Sequence, residues 1–455
     1  MKILLIDAPL SSYSWNQEPA PPLGLLYLAA AVKKKFFGIQ QSHEIQVLPL
    51  QSIKVFDKED TDDHVARIVT TFRPDIVGMS TSTPGTPNTL RIARIVKELA
   101  PRVIIIVGGY QATVDPKGIL ENKHIDIAVR GEGEIPFCEL VLMMETGDWT
   151  KIRHINNIAY RSENDTIIET SRNKKMADID SLPFPDRRLV RMDLFKTIGN
   201  QFRAGGMITS RGCPWKCDFC YSPRLWGKGV YRSANSVVDE IEVLVSEYDI
   251  TKIRFEDDTF TTDKIRAIAI CKEIQNRKLS INWEARTRID LADEEMLEAM
   301  RSAGLERLQV GIETIKDDSL AIYHKGVPFE EYERFFQRIR RAGLGLIMTT
   351  ILGIPSETPE QMLNTVNWVN DKTTEKDRFI RCMYTPFPGT FMDTRFNPVV
   401  LSHDLSKYTM DIPLVTSDLF ALEDLINVKN YADSVMKQKG PHHAVHSAIP
   451  VGGQE

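Results

Sequence analysis

The sequence predicts an α/β protein: a doubly wound parallel sheet in the N-terminal third, then a partial, open (βα)6 barrel, then a short C-terminal extension. Three observations predict it. Short apolar runs of strand length alternate with helix-length segments over residues 1–150 and again from Met207. Several of those runs, such as Ile3-Leu4-Leu5-Ile6 and Val103 to Val107, are apolar throughout, as parallel strands covered on both faces are. The chain has 455 residues, which at roughly 150 residues per domain leaves room for about three domains.

In chain order, Lys2 to Ile6 is the first strand, followed by a polar loop from Asp7 to Pro22 and a helix from Gly24 to Lys35. Glu44 to Pro49 is the second strand, a helix spans Asp62 to Phe72, and Ile76 to Ser80 is the third strand. A helix over Asn88 to Leu99 leads to strand Val103 to Val107, and Ile125 to Val129 is the last strand of this part. Such units cross over right-handedly, and ligands bind beyond the carboxyl ends of the strands. The tips there are Ser80-Thr81-Ser82, Gly108-Gly109-Tyr110-Gln111 and Gly131-Glu132-Gly133. Glycine and hydroxyl groups let backbone approach a ligand closely. No G-x-G-x-x-G follows the first strand, so a dinucleotide is not expected.

Residues 151–205 read as a linker. Ile155 to Tyr160 and Thr166 to Thr170 form a hairpin pattern, and Asp180 to Asp186 is punctuated by prolines that exclude regular helix. From residue 206 to 395 alternation resumes, with strands at Gly206–Thr209, Lys252–Phe255, Asn282–Ala285, Arg307–Gly311, Gly345–Leu352 and Arg378–Met383. Helices around residues 239–247, 263–275, 293–303 and 332–342 lie between them. Six βα units are too few for a closed eightfold barrel. Residues 396–455 are a small extension, expected on the substrate side, whose tail carries His442, His443 and His446 and is expected to fray.

Charge excludes one class of partner. The 57 Lys and Arg against 62 Asp and Glu give a net charge of −5, so there is no basic field to gather nucleic acid. No run approaches the roughly 20 apolar residues of a membrane span, and the expected location is a reducing cytoplasm.

Three of the six cysteines form Cys213-x3-Cys217-x2-Cys220, directly after the first barrel strand. Thiolates select soft metals, and three of them leave one position of a four-iron cluster open. Zinc is the competing reading, but structural zinc asks for a fourth ligand and usually for C-x2-C pairs. His324, the only histidine between residues 155 and 402, is not at ligand spacing, so the pattern favours iron–sulfur. Cys138, Cys271 and Cys382 stand alone and read as small buried hydrophobes.

C-x3-C-x-aromatic-C, with Phe219 before the last cysteine, in the first loop of a partial barrel resembles the radical S-adenosylmethionine (SAM) enzymes. Pro21 to Ala29, Gly108 to Thr113, Arg130 to Glu134 and Asp180 to Asp186 resemble the recurring segments of the class B, cobalamin-dependent branch, with its Rossmann-like cobalamin-binding domain. The resemblance implies a [4Fe–4S] cluster on Cys213, Cys217 and Cys220, with SAM chelating the fourth iron. It implies cobalamin at Ser80, Thr81, Ser82, Gly108, Gly109, Tyr110, Gln111, Gly131, Glu132 and Gly133. The D-x-H-x-x-G of other cobalamin proteins is absent, so no histidine from that motif ligates cobalt from below. At the barrel strand ends, Phe219, Glu256, Asp257, Asp258, Arg286, Arg288 and Glu313 fall in the segments expected around SAM. Asp257 and Asp258 are equally placed to cap the following helix. Either arginine suits the SAM carboxylate, and Glu313 suits the ribose hydroxyls. Tyr384 falls in the segment expected to line the substrate cavity and is a candidate catalytic residue.

The function implied is C-methylation of an unactivated carbon through methylcobalamin and a 5′-deoxyadenosyl radical. The acceptor is a small molecule or a peptide or protein side chain, such as a glutamine of methyl-coenzyme M reductase; a lipid or natural-product intermediate is equally compatible. An electron donor such as ferredoxin or flavodoxin is implied. A non-methylating cyclase or ring-rearranging enzyme of the same build, and a cobalamin or iron–sulfur sensor, remain open. The tRNA methylthiotransferases carry three more cysteines in their N-terminal domain, where this chain has only Cys138.

Overall fold

A computed structural model describes residues 1–10, 19–38, 43–52, 60–173, 178–198, 201–226, 229–392 and 398–437. The described residues form two compact units, one from residues up to 204 together with 225–230, the other from 205–224 and from 231 onward.

The first unit is built on a seven-stranded sheet. Its strands are β1 (Lys2–Asp7), β2 (Glu44–Pro49), β3 (Ile76–Thr81), β4 (Ile104–Gly109), β5 (Ile127–Val129), β6 (Ile158–Arg161) and β7 (Ile167–Glu169), in the order β2-β1-β3-β4-β5-β6-β7. β1 to β5 run parallel, so their carboxyl ends share one edge. The side chains of β1 show why the strand had to be apolar throughout. Ile3 and Leu5 pack with Leu26, Val32, Leu140 and Val141 of helices Leu23–Lys35 and Glu134–Thr146 on one face. Leu4 and Ile6 pack with Val65, Val69, Ile92 and Val96 of helices Thr61–Phe72 and Thr86–Leu99 on the other. A strand has two faces and helices cover both. The hairpin read as part of a linker lies in this sheet: β6 pairs antiparallel with β5, and β7 with β6. A local alternation pattern reveals a hairpin but not which sheet edge receives it.

The second unit holds β8 (Gly206–Met207), β9 (Lys252–Phe255), β10 (Asn282–Thr287), β11 (Leu305–Glu313), β12 (Gly345–Leu352) and β13 (Arg378–Met383). They pair in strict sequence, β13-β12-β11-β10-β9-β8, all parallel. The first and last strands are not paired, so the sheet is open, a half-barrel of six βα units. Helix starts are marked by side chains that accept orphan amides: Ser233, Asp263, Asp293 and Thr358. Phe255 of β9 stacks on Phe260 at 4.7 Å, and both meet the buried Trp283 of β10 at 5.2 and 5.5 Å. β8 stops at Met207, two residues short of the predicted strand end at Thr209, whose amide donates to the Asp257 carboxylate.

The extension packs on the outer strand. Arg381 of β13, 4% exposed, pairs with Asp411 at 2.7 Å and with Asp433 of helix Leu422–Lys437 at 2.8 Å. His442, His443 and His446 lie outside the described residues. Among the described residues, no helix is long and apolar enough to cross a membrane.

Candidate active site

The cysteine loop leaves the carboxyl end of β8. Cys213 and Cys220 are partly exposed, Cys217 is buried, and all three are free thiols. Burial raises all three thiols above their ordinary range, Cys220 to about 12. For Cys217 the nearby charges of Lys325 and Arg288 pull the other way. Apolar burial disfavours a bare thiolate, and a bound cation offsets that cost. Among the described residues no three His, Cys, Asp or Glu side chains converge as a site for one metal ion. A [4Fe–4S] cluster gives each thiolate its own iron and does not require that convergence, so the donor set fits the cluster the resemblance implies.

The loop is anchored on three sides. Asp257 accepts the Thr209 amide at 2.6 Å, the Thr209 hydroxyl at 2.5 Å and the Ser210 hydroxyl at 2.7 Å. Ser222, just past Cys220, donates to Asp258 at 2.6 Å; burial nevertheless raises the Asp258 carboxyl. Asp218, between Cys217 and Cys220, receives the His324 ring nitrogen at 3.0 Å, while its amide donates to the Tyr323 carbonyl at 3.0 Å. Neither Asp257 nor Asp258 caps the following helix; Asp263 does.

The other expected residues sit around the same strand ends. Arg286 donates to the Glu256 and Asp257 carbonyls at 2.9 and 3.1 Å and to the Glu256 carboxylate at 2.7 Å. Arg288 is buried, gives its Nε–Nη2 edge to Asp290, and donates to the Lys325 carbonyl at 2.7 Å. Its Nη1 lies 3.6 Å from the Cys217 sulfur. Glu313 adopts φ 62° at the end of β11, where the register with β12 shifts, and pairs with Lys325 at 2.9 Å. Phe219 packs edge-on to Tyr323 at 6.5 Å. Tyr384 is 2% exposed, and its hydroxyl donates to the Met392 carbonyl at 3.0 Å. The Met392 amide in turn donates to the Asp218 carbonyl at 3.2 Å, so Tyr384 supports the cysteine loop from behind. Sequence reasoning missed Lys325, Thr209 and Asp290; only Asp290, two residues from Arg288, left a local signal.

In the first unit the three glycine- and hydroxyl-rich tips lie side by side. The Thr83 hydroxyl donates to Gln111 at 2.9 Å, tying the β3 tip to the β4 tip, and the Gly131 amide donates to the Thr113 hydroxyl at 2.9 Å, tying β4 to β5. Gly109 has φ 100° and an added Cβ would lie 2.5 Å from the Thr81 carbonyl oxygen. Gly131, at φ 83°, has nothing within 4 Å of an added Cβ, so its backbone faces open space. Ser80, Thr81 and Ser82 line the end of β3, and Asp7 closes β1, where burial lifts its carboxyl to about 7. This edge of bare backbone and hydroxyls fits cobalamin. His64 is engaged with Arg67 at 3.0 Å on a flanking helix.

Comparison with known proteins agrees. The family model for the B12 binding domain matches residues 17–141, and that for the radical SAM superfamily matches residues 207–369. An uncharacterized methyltransferase of Pyrococcus horikoshii is 31% identical, over 93% of this chain and 90% of that protein. The anaerobic magnesium-protoporphyrin IX monomethyl ester cyclase of Rubrivivax gelatinosus is 29% identical, over 82% of this chain and 67% of the cyclase. The structure of TsrM from Kitasatospora setae, a radical SAM methyltransferase with cobalamin and a [4Fe–4S] cluster bound, superposes with a TM-score of 0.73 at 19% identity, over 95% of this chain and 90% of TsrM. The chain belongs to the radical SAM superfamily, as an enzyme of the branch that carries an N-terminal B12-binding domain and uses a [4Fe–4S] cluster, SAM and cobalamin.

Proposed function

We propose that the chain is a C-methyltransferase acting on an unactivated carbon of a small-molecule or peptide acceptor, in a reducing cytoplasm. The observation that carries this reading is the pairing, in one chain, of a three-cysteine loop at the carboxyl ends of an open six-stranded sheet with a glycine- and hydroxyl-rich edge on a B12-binding domain. The likeness along nearly the whole length of the Pyrococcus methyltransferase supports it.

When bound, the cluster with SAM supplies hydrogen-abstracting power and cobalamin supplies a transferable methyl group. The chain's own residues bind, orient and shield. Cys213, Cys217 and Cys220 hold three irons. Glu256, Asp258, Arg286 and Glu313 present polar groups around SAM, and Phe219 fills the space beside the last cysteine. Ser80 to Ser82, Gly108 to Gln111 and Gly131 to Gly133 cradle cobalamin. Tyr384 is a positioning residue rather than a catalytic one. A low-potential donor of the ferredoxin or flavodoxin type supplies the electron.

The cyclase relative supports a second reading, ring formation without methyl transfer. Anaerobic incubation with SAM, a reductant and candidate acceptors separates the two. S-adenosylhomocysteine and 5′-deoxyadenosine, with a product heavier by one methylene, support methylation. Acceptor-dependent 5′-deoxyadenosine without S-adenosylhomocysteine would sink it in favour of the cyclase.

A further inference from the structure

We propose that Arg288 tunes the iron–sulfur cluster, donating a charge-assisted hydrogen bond to the Cys217 sulfur that makes the cluster easier to reduce. This rests on the reading of Cys213, Cys217 and Cys220 as cluster ligands. Arg288 has five N–H donors, and most are committed elsewhere. Its Nε and Nη2 hold Asp290 at 3.0 and 3.2 Å, and Nη2 also reaches the Lys325 carbonyl at 2.7 Å. This clamp leaves no bidentate fork for a ligand carboxylate. It fixes the remaining nitrogen, Nη1, 3.6 Å from the Cys217 sulfur, within reach of an N–H···S bond. The guanidinium also lies over the Trp215 ring at 4.7 Å, so it touches the cysteine loop at two points, one on either side of Lys216.

The orientation sets the sign of the effect. The Asp290 carboxylate takes the Nε–Nη2 edge, and Asp290 is 34% exposed while Arg288 is 8% exposed. The pair therefore presents its positive end to the sulfur, at a site poor in water. Lys325, whose charge also acts on Cys217, is spent on Glu313 at 2.9 Å and on the Gly311 carbonyl at 2.9 Å. Hydrogen bonds to cluster sulfurs and nearby charge are among the levers that set cluster potentials. Reducing the cluster from its 2+ to its 1+ state adds one electron, supplied in the test by dithionite. A fixed cation beside one ligand favours that added charge.

The test is an anaerobic redox titration of the reconstituted full chain, read by electron paramagnetic resonance, beside iron and sulfide counts. Arg288→Met should shift the midpoint to more negative potential with iron retained, and Arg288→Lys should shift it less. Asp290→Asn, which strips the counter-charge and keeps the arginine, should shift it to more positive potential. A merely structural role predicts no such opposed pair of shifts. If Arg288→Met fails to hold iron, Arg288→Lys and Asp290→Asn decide the matter. Midpoints equal to wild type in both would overturn the proposal, as would shifts of the same sign. A wild-type protein without a reducible [4Fe–4S] signal would overturn the cluster reading itself.

Discussion

The carboxylate of Asp257, at the end of β9, accepts both the amide and the hydroxyl of Thr209, four residues before Cys213, at 2.6 and 2.5 Å. The residue is 1% exposed, so water cannot replace it. Asp257→Ala would leave the Thr209 amide and two hydroxyls without an acceptor, at about 1–3 kcal/mol for each group left unpaired. We expect a loss of about 3 kcal/mol or more in urea unfolding and iron well below wild type after reconstitution. Asp257→Asn keeps one carbonyl oxygen and should lose less of both. Full iron content in Asp257→Ala would show that the anchor does not hold the loop.

The cysteine loop was legible because its chemistry is local: three soft ligands fall within eight residues. The strands were legible because parallel strands covered on both faces must be apolar. Asp257 shows what was not. Sequence places it near the site, as a SAM contact or a helix cap, yet its partners lie 47 and 48 residues away and only the register of β8 against β9 brings them together. The turn of Glu313 into positive φ is likewise set by a register shift between β11 and β12. The hairpin of β6 and β7 was visible as a hairpin, but its place in the first sheet depends on which edge was left free.

Gly311 leaves the space that the Glu313 carboxylate and the Lys325 ammonium occupy, since an added Cβ would fall on both. The carboxylate could swing aside only by giving up the 2.9 Å ion pair with Lys325, which is buried. Gly311→Ala should therefore cost about 1–3 kcal/mol, the range for overpacking. In a Glu313→Ala background the same substitution should cost much less. A double-mutant cycle by thermal or urea unfolding measures this coupling, and additive losses would contradict it.

Gly109 tests the other cofactor edge. Its φ of 100° and the Thr81 carbonyl oxygen, 2.5 Å from an added Cβ, are both backbone constraints that no side-chain rotation relieves. Gly109→Ala should lower thermal stability by more than the roughly 1–2 kcal/mol of a left-handed residue. It should also abolish cobalamin retention, read from the visible absorption of protein reconstituted with cobalamin. Gly24 is the control: it lies in helix Leu23–Lys35 with nothing within 4 Å of an added Cβ. Gly24→Ala should be neutral or stabilising by about 0.5–1 kcal/mol.

Asp7 gives the fold a pH dependence of defined sign. Burial at the end of β1 raises its carboxyl from 3.8 to about 7. Between those values the folded protein binds more protons than the unfolded chain, so the contribution of Asp7 is whole below about pH 4 and is lost as pH climbs through about 7. Each unit corresponds to about 1.4 kcal/mol, which bounds the loss at roughly 4 kcal/mol. Other groups titrate with both signs. Burial also raises Asp258 and Glu139, while the folded state lowers the carboxyls of Asp293 and Asp433. The informative quantity is therefore the difference between wild type and Asp7→Asn, which cannot ionise. Urea unfolding of both from pH 5 to pH 8 should show the variant gaining on wild type steadily as pH rises, with most of the gain complete by pH 8. Parallel curves across that window would mean that Asp7 is ionised in the folded protein at neutral pH, with a partner that offsets its burial.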